Sequence, residues 1–253
     1  MTLIRKTVAA LSMTAMIVAQ TPARAEMSDE QKQEFGAFIK QYLIENPEIL
    51  IDVQKALQAK QEQAQVAAAQ QAIEKDKNEI FASKADLVLG NPTGDVTVVE
   101  FFDYNCGYCR RALPDMTNIL KEDKNVRFVL KELPILGPDS TAAHKVADAF
   151  RQIAPEKYGE FHLKLLGGKG RATAETATAL AVSMGVSKEK IEETIKKFPN
   201  DKLVDQNIEL AQNLGVSGTP SYVIGDEAVY GAVGKDSLEE KISNVRACGK
   251  ATC

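Results

Sequence analysis

The chain has 253 residues, 44% of them hydrophobic and 26% charged, with a formal net charge of −4. That is enough apolar material for a packed core, and it excludes a wholly disordered chain and a membrane protein of many spans. A mildly acidic chain without a basic block makes a poor nucleic-acid binder, and His144 and His162 as the only histidines almost exclude a multi-histidine metal centre.

The first 25 residues hold Arg5, Lys6 and Arg24 and no acid. Thr7–Ala19 is an apolar stretch of 13 residues, and Ala23-Arg24-Ala25 fits a small-x-small cleavage site. Together they read as a secretory signal peptide cut after Ala25. Thirteen apolar residues are too few for an uncleaved anchor, which needs about 20. The expected destination is a bacterial periplasm, where paired cysteines can form disulfides.

Residues 26–82 read as a helical arm and stalk. Ser28 and Gln31 form a capping box, followed by Phe35, Phe38, Ile39, Tyr42 and Leu43 at helical spacing. Asn46-Pro47 ends one helix and caps the next. Ile49, Leu50, Val53 and Leu57 make an apolar stripe, and Val66, Ile73 and Ile80 stand seven apart. A helix to about Ala82 is either a solvated linker rod or, preferred here, an oligomerisation arm whose apolar first half packs on copies of itself.

Residues 83–253 read as an α/β domain. Leu87-Val88-Leu89 and Val96–Phe102 have strand composition and flank the turn cluster Asn91-Pro92-Thr93-Gly94. A helix opens at Cys106-Gly107-Tyr108-Cys109 and runs to about Glu122, with Pro114 inside it. Val126–Lys131 is the next strand. Residues 138–198 are helical in pattern, and a further helix covers Asp201–Leu214. Ser221–Ile224 and Ala228–Tyr230 are strands, and Ser237–Ala247 closes the chain.

The chemistry falls on Cys106 and Cys109. A C-x-x-C between a buried strand and a helix is a redox pattern. The first cysteine meets the free N–H groups and dipole of the helix N-terminus, so its thiolate is favoured and it is the nucleophile. The second lies one turn in and resolves the mixed disulfide. Half of a zinc site is the competing reading, but the spacing of Cys248 and Cys253 and the isolation of the histidines supply no second half. Glu100, six residues before Cys106 in an apolar strand, either accepts the proton released at the dithiol or pairs with Lys131. Thr219-Pro220 is the strongest candidate for a cis bond. Cys248 and Cys253 read first as a small structural disulfide and second as a further redox pair or substrate mimic. His144 and His162 read as packed or solvated helix residues. The apolar run Leu133–Leu136 reads first as core packing and second as a client groove.

Val98-Val99-Glu100-Phe101-Phe102, the Cys106–Cys109 helix start, Pro114 and Thr219-Pro220 together resemble the thioredoxin-fold disulfide oxidoreductases of DsbA type. The resemblance covers residues 86–247 and implies a thioredoxin fold with a helical insertion at about 138–198. The arm with Glu45-Asn46-Pro47-Glu48 is similar to that of the ScsC (suppressor of copper sensitivity) group. In the resemblance a cis-proline faces the dithiol, and the residue before it, here Thr219, touches the first sulfur. DsbA oxidases typically carry Pro-His inside the dithiol and Val before the proline. Gly107-Tyr108 with Thr219 is instead similar to the oligomeric isomerase DsbC. No imidazolium stands beside the thiolate to make the chain a strong oxidant. An isomerase or reductase is therefore the favoured expectation. The alternatives are a DsbA-type oxidase, a Cu(I)-binding copper-tolerance dithiol and a structural scaffold. The resemblance implies misfolded disulfide-containing secreted proteins as clients, a membrane reductase of DsbD or ScsB type, and a homo-oligomer, with a trimer preferred to a dimer. No cofactor or metal is expected.

Overall fold

The computed structural model describes residues 27–253, so the expected signal peptide lies outside the described residues. The chain divides into two compact units at Leu57 and Gln58.

The first unit carries α1 (Asp29–Glu45) and the start of α2 (Glu48–Lys75). Ser28 caps α1 in a full capping box with Gln31, and Asn46 receives the chain at its end. No residue of α1 is buried. Phe35, Phe38, Tyr42, Leu50, Val53 and Leu57 are each more than 45% exposed.

The second unit is a five-stranded mixed sheet in the order β1-β3-β2-β4-β5. The strands are β1 (Leu87–Gly90), β2 (Val96–Phe102), β3 (Val126–Glu132), β4 (Ser221–Ile224) and β5 (Glu227–Tyr230). Only the central pair β2 and β3 is parallel. β2 and β3 are buried on both faces, which is why they read as nearly continuous apolar runs.

Strand periodicity divides the core. Val96, Val98 and Phe102 of β2 and Val126, Phe128 and Leu130 of β3 face one cluster. That side holds α4 (Gly107–Glu122), α10 (Lys235–Cys248) and the helical insertion, which consists of α5 (Pro138–Ile153), α6 (Tyr158–Gly167), α7 (Ala174–Ser183) and α8 (Lys188–Lys197). Val99, Phe101, Val129 and Val223 face the other cluster with Ile73, Ile80, Leu210 and Leu214. Those partners come from the second half of α2, α3 (Lys77–Phe81) and α9 (Asp201–Asn213) with its C-cap Leu214.

Three expectations from the sequence meet this geometry. The compact unit that holds the sheet begins at Gln58, whereas the sequence reading began it at residue 83. Ile73 and Ile80, read as part of a heptad seam, are 4% and 0% exposed against the sheet. The helix that carries them also breaks at Asp76. Leu133 is buried, but Ile135 and Leu136 are 42% and 44% exposed, so core packing fails for the tip of that run.

Candidate active site

β2 ends at Phe102 and a tight turn delivers the chain to α4. Asp103, fully buried, shapes that turn. Its Oδ1 accepts from the Asn105 N–H (2.7 Å) and the Ser140 hydroxyl (2.8 Å), and Oδ2 accepts from the Leu136 N–H (3.0 Å). Asn105 makes a two-point bond to the backbone of Ala172, its amide donating at 2.9 Å and its carbonyl accepting at 2.8 Å. The turn is thereby tied to the entry of α5 and to the loop before α7.

Cys106 is the N-cap of α4, in extended conformation, and its Sγ accepts from the Cys109 N–H at 3.2 Å. The Cys106 thiol also donates to the Thr219 carbonyl at 3.0 Å. The Thr219-Pro220 peptide is cis. The hydrogen bond from the Cys109 side chain is the largest influence on Cys106. With lesser help from Thr219 and the Cys109 and Tyr108 amides, it overcomes burial and lowers the thiol to about 6. Cys109 is pushed well up, first by that same bond, then by burial and the Glu100 charge. Both cysteines are free thiols in this structure. Pro114 lies inside α4, which continues through it to Glu122.

Glu100 is 4% exposed, and burial first, then the charges of Cys106 and Asp115, raise its carboxyl to about 8. Its pairing with Lys131 is not present. In the parallel register Glu100 stands opposite Leu130, and Lys131 opposite Phe101, so the two side chains leave opposite faces of the sheet. Lys131 instead bonds Asp86 at 2.6 Å, with both side chains buried.

Beside the dithiol a groove of about 430 Å³ is lined by Tyr108, Ser217, Gly218, Thr219, Tyr230 and Gly231. Tyr108 is 61% exposed, with the Arg111 guanidinium 4.1 Å above its ring. Cys248 and Cys253 are joined in a disulfide away from this groove's lining. Among the described residues no group of three or more His, Cys, Asp or Glu side chains could hold a metal ion. The sequence reading brought together Cys106, Cys109, Glu100, Thr219 and Pro220. It missed Asp103 and Asn105, whose short polar side chains just before Cys106 are the kind that build such turns.

Comparison with known proteins agrees with this arrangement. The DSBA-like thioredoxin domain profile matches residues 97–243, more than half of the chain. The chain belongs to the DSBA-like thioredoxin family. It is thus a member of a family of thiol–disulfide oxidoreductases. The profile of the copper resistance protein ScsC N-terminal domain matches residues 31–64. A solved thioredoxin-like oxidoreductase from Silicibacter pomeroyi is 40% identical, with 68% of this chain and 98% of that one covered and a TM-score of 0.64. A linker-deletion mutant of Proteus mirabilis ScsC is 26% identical, covering 89% of this chain and 99% of that one at a TM-score of 0.64. Disulfide bond formation protein D of Bacillus subtilis is 25% identical over 63% of this chain and 76% of its own length. The match to the Na(+)/H(+) antiporter NhaA 1 of Salinispora arenicola, 24% identical over 64% of this chain, spans only 25% of that antiporter.

Proposed function

We propose that this chain is a periplasmic protein disulfide isomerase or reductase, secreted through the signal peptide at residues 1–25. Cys106 is its nucleophile. The Cys106 thiolate attacks a client disulfide and forms a mixed disulfide, and the client's other sulfur leaves as a thiolate. Cys109 passes its proton to Glu100, which ionises more readily once the mixed disulfide has removed the Cys106 charge, then attacks the Cys106 sulfur and releases the client reduced, leaving Cys106–Cys109 oxidised. In isomerisation the client's own thiolate attacks instead, and no net electrons move. Thr219 and Pro220 border the sulfur and help to align the client strand. The clients are misfolded disulfide-containing secreted proteins, and a membrane reductase of DsbD or ScsB type restores the dithiol.

The observation that carries isomerisation is the unpartnered apolar face of the first unit, with Phe35, Phe38 and Tyr42 at 56%, 62% and 48% exposure. Such a face is a liability alone and suits a closed oligomer, a trimer before a dimer. Several dithiols then work on one client at high effective concentration. The match to the ScsC N-terminal domain covers the same residues. One observation favours a DsbA-type oxidase instead: a thiol lowered to about 6 stabilises the reduced state and so makes the disulfide more oxidising. Copper tolerance is supported only by the description of the N-terminal match and by the affinity of thiolates for Cu(I).

The deciding test compares residues 26–253 with residues 58–253. The shorter chain keeps Ala69, Ile73 and Ile80, which a start at Ser83 would strip from the core. It should be a monomer by light scattering, still reduce insulin, and lose isomerisation of a scrambled multi-disulfide substrate. A monomeric longer chain at micromolar concentration would defeat the isomerase reading and leave a monomeric oxidase or reductase.

A further inference from the structure

Behind the reacting turn lies a buried polar group that the exchange chemistry above does not use. Tyr104, two residues before Cys106, is fully buried. Its backbone N–H donates to Nε2 of His144 at 3.4 Å. His144 comes from α5 and is itself fully buried. An imidazole nitrogen that accepts carries no proton, so the single proton of neutral His144 sits on Nδ1. Nδ1 stands 3.4 Å from Oε2 of Glu132, without the alignment of a full hydrogen bond. Glu132 is held in turn by the Tyr158 hydroxyl at 3.1 Å and the Asn200 amide at 3.3 Å. The Tyr104 ring is fixed as well, its hydroxyl 3.2 Å from Nδ1 of His162.

We propose that His144, oriented by Glu132, is a positioning residue for the dithiol: it holds the Tyr104 amide and so fixes the turn that presents Cys106 at the start of α4. The inference rests on the reading of Cys106 as the nucleophile. A buried amide without an acceptor is costly, so removing the imidazole obliges the turn to move. The Cys106 N–H bonds the Asp103 carbonyl at 2.9 Å within that turn, so displacement passes directly to Cys106. Its sulfur then leaves the Cys109 N–H at 3.2 Å, the donor that favours the thiolate. A global loss of stability alone would not change how Cys106 titrates in the folded protein.

The test follows alkylation of Cys106 against pH in the reduced full-length protein. His144→Phe keeps the bulk and removes the acceptor. Its midpoint should rise from about 6 to about 7, slowing the reaction at pH 6 about fivefold. His144→Gln, which keeps an acceptor and a donor, should restore most of the rate. An unchanged midpoint in folded His144→Phe, or a shift as large in His144→Gln, overturns the proposal. If His144→Phe does not fold, nitrogen NMR of the wild-type imidazole decides. Protonated Nδ1 with bare Nε2 supports the assignment, and protonated Nε2 overturns it. A wild-type midpoint near that of a free thiol would sink the nucleophile reading separately, and the tautomer would still judge His144.

Discussion

The two cysteine pairs sit at opposite ends of helices. Cys106 caps the N-terminus of α4, where its sulfur faces the Cys109 N–H. Cys248 is the last residue of α10, followed by Gly249 in the left-handed conformation at φ 78°. There the sulfurs meet carbonyls without the N–H that Cys106 has beside its Thr219 carbonyl: Cys248 lies 3.7 Å from the Lys250 oxygen and Cys253 lies 3.4 Å from that of Asn244. Free N–H groups and the positive end of the dipole stabilise a thiolate, whereas free carbonyls and the negative end oppose it. The same side chain is therefore poised for exchange at one helix end and suited to a lasting crosslink at the other.

The sharpest way to break this comparison is to remove the nucleophile. Cys106→Ser should lower insulin reduction by roughly a thousandfold or more. Cys109→Ala should accumulate mixed disulfides with clients, because the resolving thiol is gone. Equal trapping by Cys106→Ala would overturn the assignment of roles.

Glu100 comes next. Glu100→Gln should slow resolution of mixed disulfides on the order of a hundredfold, since no carboxylate is left to take the Cys109 proton. Linkage gives a second reading, best taken on the oxidised protein, where neither active-site cysteine titrates. A carboxyl raised from 4.5 to about 8 binds its proton more tightly in the folded state. Its stabilisation is fully present below the unfolded value of 4.5 and is lost as pH rises through the folded value, which burial still holds above 4.5 but which lies below 8 once the Cys106 charge is gone. Urea unfolding should therefore show wild-type stability falling more steeply across that window than that of Glu100→Gln. Parallel pH profiles would remove Glu100 from beneath the dithiol.

A smaller effect is expected at Thr219, whose side chain helps to lower Cys106. Thr219→Val should shift the equilibrium with glutathione about threefold toward the oxidised protein. An unchanged equilibrium would leave the Thr219 side chain without a part in tuning the dithiol.

Much of the sheet was legible because strand periodicity is local. β2, β3 and β4 fall within a residue of the expected limits, and the C-x-x-C helix starts where the apolar run ends. What stayed hidden depends on register and on distant partners. Lys131 on the next strand is the partner the sequence offers Glu100, yet the parallel register puts the two on opposite faces. Asp86, its actual partner, lies 45 residues away in the loop before β1. The spacing of Val66, Ile73 and Ile80 is equally compatible with a coiled-coil seam and with one face laid on a sheet. Only Val66, 52% exposed, is left outside the core. His144 is legible as a packed helix residue, but its meeting with Glu132 and Tyr104 joins three separate elements and leaves no local pattern.

The C-terminal pair is the smallest prediction and the one that completes the contrast. The disulfide closes only the loop from Cys248 to Cys253, so chain entropy assigns it about 2 kcal/mol. The loop's contacts explain its use. Ala251 is fully buried, its N–H bonds the Asp226 carboxylate at 3.0 Å, and its carbonyl accepts from the Asn244 amide at 3.1 Å. Thr252 reaches Glu227, which also pairs with Lys241 of α10 at 2.8 Å. The crosslink therefore fastens the chain end across α10 and the turn between β4 and β5. Cys248→Ser with Cys253→Ser should lower unfolding stability by about that 2 kcal/mol and leave insulin reduction unchanged. Loss of exchange activity in this folded double variant would mean that the second pair relays electrons, and the helix-end argument would then fail for α10.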